Sequence, residues 1–146
     1  MSNQIPTKRD VKFLLSEDIR QEVHGKLSLQ GYMPGEHFLV GGKPPDGAGS
    51  NVAFVLPSLA FLFVITGGEG KFSGRFKVIA PDKKTTLVDT PAEKPIDKPR
   101  GKTAVFAMTS RPFVGPSFGA YTVQLELDKA KFVFPMRIEK SPKAAP

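Results

Sequence analysis

Apolar and polar residues alternate with a period of two in one segment after another of this chain, the mark of strands that turn one face to a core. Val11, Phe13 and Leu15 alternate with Lys12, Leu14 and Ser16. Leu27 and Leu29 alternate with Lys26, Ser28 and Gln30, and EHFLV reads as a third short strand. In KFSGRFKVIA, Phe72, Phe76 and Val78 share one face, and Lys71, Ser73, Arg75 and Lys77 share the other. TTLV and KTAVFAMTS continue the series. The chain closes on its strongest pair, GAYTVQLEL with Tyr121, Val123, Leu125 and Leu127 on one face, and KFVFPMRI with Phe132, Phe134, Met136 and Ile138 aligned. LAFLFVI, 59–65, breaks the rule by being apolar at every position. Such a strand is central in its sheet or covered on both sides.

Between these runs lie breakers. SEDIRQEVHG, 16–25, carries the one helix signal. Ser16 can cap a turn, Glu17 and Asp18 sit near its positive end, Ile19 and Val23 are four apart, and Gly25 can stop it. GGKPPDGAGSN, 41–51, reads as a loop. Gly67, Gly68 and Gly70 predict a hairpin turn. Pro91, Pro95 and Pro99 predict an extended loop over 90–102, because proline cannot donate to a ladder. RPFVGPSF predicts another loop, and SPKAAP a frayed tail. The expectation is all-β: a single-domain antiparallel β-sandwich, immunoglobulin-like, with about eight or nine strands, one short helical turn and an ordered core over about 10–139. Gly119-x-Tyr121 at the head of an inward-facing strand matches the tyrosine corner of such sandwiches. The predicted core is Phe13, Leu27, Leu29, Phe61, Phe63, Phe76, Val105, Tyr121, Val123, Leu125, Phe132 and Phe134.

Composition sharpens this picture without naming a task. Fourteen glycines and fourteen prolines in 146 residues fit short elements joined by many turns. The absence of cysteine excludes a disulfide scaffold, a thiol enzyme and a cysteine-ligated zinc site. A net charge of +7 favours polyanions or simply solubility. The opening MSNQIPTKRDVKFLL lacks the unbroken apolar stretch of a signal peptide, since Lys12 interrupts it and Ser16 and Glu17 follow. LAFLFVI is far below the ~20 residues of a membrane-spanning helix. A soluble, cytoplasmic protein is expected.

LLSEDIRQEVHGKLSLQGY, then LAFLFVI, then VIAPD, then GAYTVQLELDKAKFVFPMRI form an ordered set of segments. Over residues 11–139 this set resembles an uncharacterised bacterial protein family, a domain of unknown function. The resemblance implies an all-β sandwich and no known chemistry or cofactor. The chain departs from that pattern where the family commonly has Cys-Asp and Ser16-Glu17 stand here, and in its proline-rich stretch at 91–102.

Candidate chemistry is thin. GGEGK suggests a phosphate loop, but Ile65 stands at the first glycine position, Phe72 replaces the hydroxyl, and a strand follows where the motif needs a helix. His24 and His37 with Glu36 or Asp46 lack metal-ligand spacing, and His24 beside Gly25 suits a turn. No G-x-S-x-G elbow is present, and Asp18 and Glu22, with Arg20 between them, read as a solvated turn rather than a catalytic pair. Two candidates remain. Lys71, Arg75 and Lys77 form a basic stripe that could track phosphates. The stacking aromatics of a single-strand binder would share its face, whereas Phe72 and Phe76 point the other way. Phe113, Val114 and Phe118 form an apolar loop, either a partner-binding tip or a plug against the core. The leading expectation is a non-enzymatic protein-interaction or assembly module, with an unnamed protein partner or self-association. Nucleic-acid or other polyanion binding is the alternative, and an enzyme of unknown type the third. No catalytic, metal-binding or cofactor-binding residue is expected.

Overall fold

The computed structural model describes residues 3–41 and 51–141. Most of the predicted loop at 41–51, including Asp46, and the tail at 142–146 lie outside the described residues. The described chain is all-β with several antiparallel sheets, and it is not a barrel. Its strands, in chain order, are β1 (Val11–Ser16), β2 (Asp18–Gln21), β3 (Leu27–Gln30), β4 (His37–Val40), β5 (Phe54–Leu56), β6 (Leu59–Ile65), β7 (Gly70–Phe72), β8 (Gly74–Ile79), β9 (Thr86–Pro91), β10 (Ile96–Lys98), β11 (Ala104–Ser110), β12 (Phe113–Gly115), β13 (Gly119–Leu127) and β14 (Ala130–Lys140).

Two sheets carry the core. The three-stranded sheet runs β1-β6-β11, and the five-stranded sheet runs β4-β14-β13-β8-β9. LAFLFVI is therefore central, as its apolar run implied. Register aligns Phe13, Phe63 and Phe106 in one row of the first sheet, and Leu15, Phe61 and Met108 in the next. In the second sheet Phe134, Val123, Val78 and Val88 form one row, and Phe132, Leu125, Phe76 and Thr90 another. The sheets meet through these rows. Phe61 and Phe76 have ring centroids 4.9 Å apart, Phe63 and Phe76 5.9 Å, and Phe13 and Phe134 5.6 Å. Nine of the twelve phenylalanines, with Tyr121, thus form a connected aromatic core, each favourable ring pair adding ~0.5–1.5 kcal/mol beyond area burial.

Several expectations are corrected. Among the described residues fourteen strands replace the expected eight or nine, because segments of the expected loops and turn form two-stranded ladders. SEDIRQEVHG is not helical. β2 pairs with β3, Ile19 opposite Leu29, and only Val23–Gly25 makes a 3-10 turn, with His24 at φ +60° and Gly25 at φ +73°. A short helical turn with one apolar pair, Ile19 and Val23, does not offset nucleation, whereas the ladder satisfies the same backbone groups. The glycines after β6 do not make a hairpin, since both sides of β6 are already occupied by β1 and β11. The chain instead crosses to the other sheet past the N-terminal segment, where Gln4 and Glu69 exchange backbone hydrogen bonds of 2.8 Å each. Gly70 at φ +134° allows this, and a Cβ there would lie 2.2 Å from the Asn3 side chain.

The proline-rich loop contains a strand, β10, paired with β7 and burying Ile96 and Lys98. Not every pair is antiparallel, for β4 lies parallel to β14. In the predicted core, Phe13, Phe61, Phe63, Phe76, Tyr121, Val123, Leu125 and Phe132 are buried, and Phe134 is half-buried against them. Leu27 and Leu29 are only half-buried, because the β2–β3 hairpin stands outside the two main sheets. Val105 is 50% exposed. Ala104, Phe106 and Met108 take the inward side of β11, the reverse of the face assigned to Val105.

Candidate functional site

The basic stripe is built by two ladders rather than one. Ser73 separates β7 from β8, so Lys71 stands opposite Asp97 of β10, while Arg75 and Lys77 stand opposite Pro91 and Asp89 of β9. Alternation places all three cations away from Phe72, Phe76 and Val78, as the sequence implies, and those apolar side chains are buried. The face is not a free cationic surface. Arg75 Nε meets Asp89 Oδ1 at 2.6 Å, and Lys77 Nζ meets Glu126 Oε2 at 3.3 Å. The Arg75 guanidinium holds the Asp89 carboxyl below its ordinary range and is itself held further toward protonation by that hydrogen bond. The sequence could not show these pairs, because Asp89 and Glu126 reach the stripe only through strand register.

The aromatic loop is divided. Phe113 is buried, Val114 is exposed, and Phe118 is half-buried against the core. β12 pairs with β5, setting Val114 opposite Val55. Phe54 lies 6.2 Å from Phe113 and 5.3 Å from Phe118, and Phe113 lies 6.0 Å from Tyr121. Gly115 is required at this packing, since a Cβ there would sit 2.0 Å from the Phe54 ring. The Tyr121 hydroxyl donates to the Ser117 carbonyl at 2.5 Å, closing the loop back on β13. Burial pushes the Tyr121 phenol above its ordinary value. Phe113 and Phe118 therefore act as a plug, and Val114 alone of the trio faces solvent.

Other candidate groups stay apart. His24 sits in the turn after β2, while His37 begins β4 and lies 3.6 Å from Glu139. Glu36 precedes it, its carboxyl held above the ordinary range by burial. Asp18 is engaged by Arg111 at 2.5 Å, which lowers its carboxyl, and Glu22 is exposed. Among the described residues, no three His, Cys, Asp or Glu side chains gather where a metal ion could be held. No helix among them is long and apolar enough to cross a membrane. No family model and no curated protein matches this chain.

Three features escaped the sequence. Lys98 is buried, its ammonium donating to the Gly68 and Pro99 carbonyls at 3.1 and 3.0 Å. It staples β10 to the glycine turn after β6, and nothing in the alternation of Ile96, Asp97 and Lys98 sets it apart from a surface cation. A cleft of about 530 Å³ is walled by Tyr32, Met33, Phe38, Leu39 and Leu56, with Glu17 at its rim. Its walls come from the segment 31–39 and, more distant in sequence, from residues 56–58 and Glu17. The third feature is the edge of the three-stranded sheet. β11 is a terminal strand seven residues long, AVFAMTS, without charge or proline, and Val105, Ala107 and Thr109 are exposed along it.

Proposed function

We propose that this protein is a non-enzymatic interaction or assembly module, an immunoglobulin-like β-sandwich acting in the cytoplasm, whose contact element is the β11 edge. The two phenylalanine-lined sheets in contact and the Tyr121–Ser117 hydrogen bond support the sandwich reading. The resemblance over residues 11–139 agrees with it. The observation that carries the functional reading is the uncharged, exposed edge strand. Such edges are templates for strand addition, and proteins that do not use them defend them with charge, proline or a bulge. The alternative, a polyanion-binding face on Lys71, Arg75 and Lys77, is opposed by the carboxylates already seated on two of the three cations.

The experiment is affinity capture from the source cell with the unmodified chain and with Thr109→Lys, which adds charge to the edge without touching the core. The reading expects a specific companion, another protein or a second copy, that the variant fails to retain. Equal capture by both proteins would overturn it. Salt-sensitive retention of single-stranded nucleic acid, lost when Lys71, Arg75 and Lys77 are neutralised together, would promote the alternative.

A further inference from the structure

We propose that two copies of this chain associate by pairing their β11 strands, antiparallel about a two-fold axis through Ala107. The inference rests on the interaction-module reading and identifies the partner as a second copy.

The direction of each backbone group on β11 follows from the hydrogen bonds around β1. Thr66 donates to the Asp10 carbonyl, whereas the Leu15 carbonyl is taken from the opposite side by Met33, both at 2.8 Å. Within a strand, the N–H and C=O of one residue point to one side and those of the next residue to the other. The even-numbered residues of β1 therefore face β6, and Leu62 and Val64 face β1. Phe61 and Phe63 bond toward β11 through Met108 and Phe106. Val105, Ala107 and Thr109 then turn their N–H and C=O groups away from the sheet. Among the described residues, none of the three has a backbone partner in the loops or turns.

The other edges of the two main sheets are defended. At β1, Val11 donates to Lys8, Leu15 accepts from Met33, and Lys12 projects from the strand. β9 ends in Pro91 and carries Asp89, and β4 is only four residues long. β11 has none of these devices.

Charge and shape select a second copy as the occupant. The net charge of +7 opposes self-association, so the pairing rests on the strand itself, which carries no charge and whose register brings no like charges together. In the proposed register, Ala107 meets Ala107 and Val105 meets Thr109. Each end thus pairs two β-branched side chains around a small centre, a favourable cross-strand combination. The flanking cations avoid each other, since Lys102 meets Pro112 and Arg111 meets Thr103. Arg111 is in addition already held by Asp18 at 2.5 Å. All three outward-facing residues then exchange both backbone hydrogen bonds with their opposites. The outer face formed by the half-buried Leu14 and Val64 and the exposed Val105 and Ala107 continues across the axis, with Leu62 already covered between them.

The chain has no cysteine, so a single introduced one reports on register. At a hydrogen-bonded pair the Cα atoms lie ~5.5 Å apart, inside the ~4.4–6.8 Å range of a disulfide. Ala107→Cys is expected to cross-link rapidly into a dimer under mild oxidation. Val105→Cys is not, because its two copies would be four residues apart along the strands, ~13 Å. Sedimentation equilibrium of the unmodified chain should show a concentration-dependent dimer, weakened about tenfold or more by Ala107→Lys, which sets like charges against each other. A strand-dominated far-UV spectrum confirms that each variant is folded, and where Ala107→Lys fails to fold, the cysteine pair decides. A monomer at every concentration, or equal cross-linking of the two cysteine variants, overturns the proposal. A monomer that captures a different protein through this edge overturns self-pairing while leaving the interaction reading standing, and a monomer that captures nothing overturns both.

Discussion

The five-stranded and three-stranded sheets share a phenylalanine core but treat their outer faces in opposite ways. Outside the five-stranded sheet, Arg75 with Asp89, Lys77 with Glu126, and Arg137 with Glu139 form a polar surface of ion pairs. Outside the three-stranded sheet, the corresponding rows hold Leu14, Leu62 and Ala107, then Lys12, Val64 and Val105. The first arrangement suits a face that meets only water. The second leaves apolar side chains beside an open backbone edge, and this difference directs attention to β11 rather than to the basic stripe that dominates the sequence. Two of the three cations most prominent along the chain, Arg75 and Lys77, are paired by neighbours across the sheet, whereas the proposed contact edge is a place where charge is missing.

The largest expected effect tests the part the sheets share. Phe63 has no exposure and touches Phe13, Phe76, Phe106 and Phe134. Phe63→Ala should cost about 3–5 kcal/mol in denaturant unfolding, the range for a buried aromatic truncation. A loss under ~1 kcal/mol would mean that the two sheets do not depend on a common core. Next comes the plug at the end of that core. Tyr121→Phe keeps the ring and removes the donor to Ser117, so a loss of about 1–2 kcal/mol is expected. A neutral result would show that the hydroxyl does not hold the loop.

Acid probes both outer regions together. Asp82 is lowered to about 2 by hydrogen bonds from Thr85 and Lys84. Asp10, Asp18 and Asp89 are lowered by Thr7, Arg111 and Arg75 respectively. A carboxyl whose folded value lies below its unfolded one contributes stability above the unfolded value and loses it as pH falls. The melting temperature should therefore drop between about pH 4 and pH 2, while Glu36, shifted upward from 4.5, acts in the opposite sense and above that range. Asp82→Asn should flatten part of the decline, and an unchanged profile would remove the Thr85 contacts from the account.

Neutralising Lys71, Arg75 and Lys77 together takes net charge from +7 to +4, three positive charges fewer. Capture of a protein companion should survive this change, and loss of that capture would move the contact to the charged face. The smallest effect belongs to Val105→Ala. At an exposed edge position it should shift monomer stability by no more than about 0.5–1 kcal/mol, whereas Phe106→Ala, one residue along and packed inward, should cost more. The reverse order would restore the inward face first expected for Val105.

Strands were legible where burial is one-sided. Lys71, Arg75 and Lys77 alternate with Phe72, Phe76 and Val78, and the alternation survives folding because one face meets core and the other water. β11 defeated the same reasoning. The expectation sets Val105 inside, yet alternation puts it with Ala107 and Thr109 and sets the larger apolar pair, Phe106 and Met108, on the opposite face. Pairing with β6 fixes Phe106 beside Phe63 and sends Val105 out. A period of two leaves each strand two choices of face, and register decides between them. SEDIRQEVHG failed for a related reason, as local caps and spacing suggested a turn of helix and a cross-strand partner ten residues away won.

The plug and the edge mark the division between the two kinds of information. By itself the chain determined that strands would dominate, that LAFLFVI would be central, that phenylalanine would fill the core, and that no cysteine chemistry is available. These follow from composition and short-range periodicity, which act within a few residues. Only the tertiary structure decided which carboxylates answer the basic stripe, that Lys98 is buried against two carbonyls, and that Phe113 turns in while Val114 turns out. It alone left β11 at the end of its sheet. Each of these depends on pairing between segments far apart in the chain, and a strand carries no local mark of which neighbour it will have or whether it will have one.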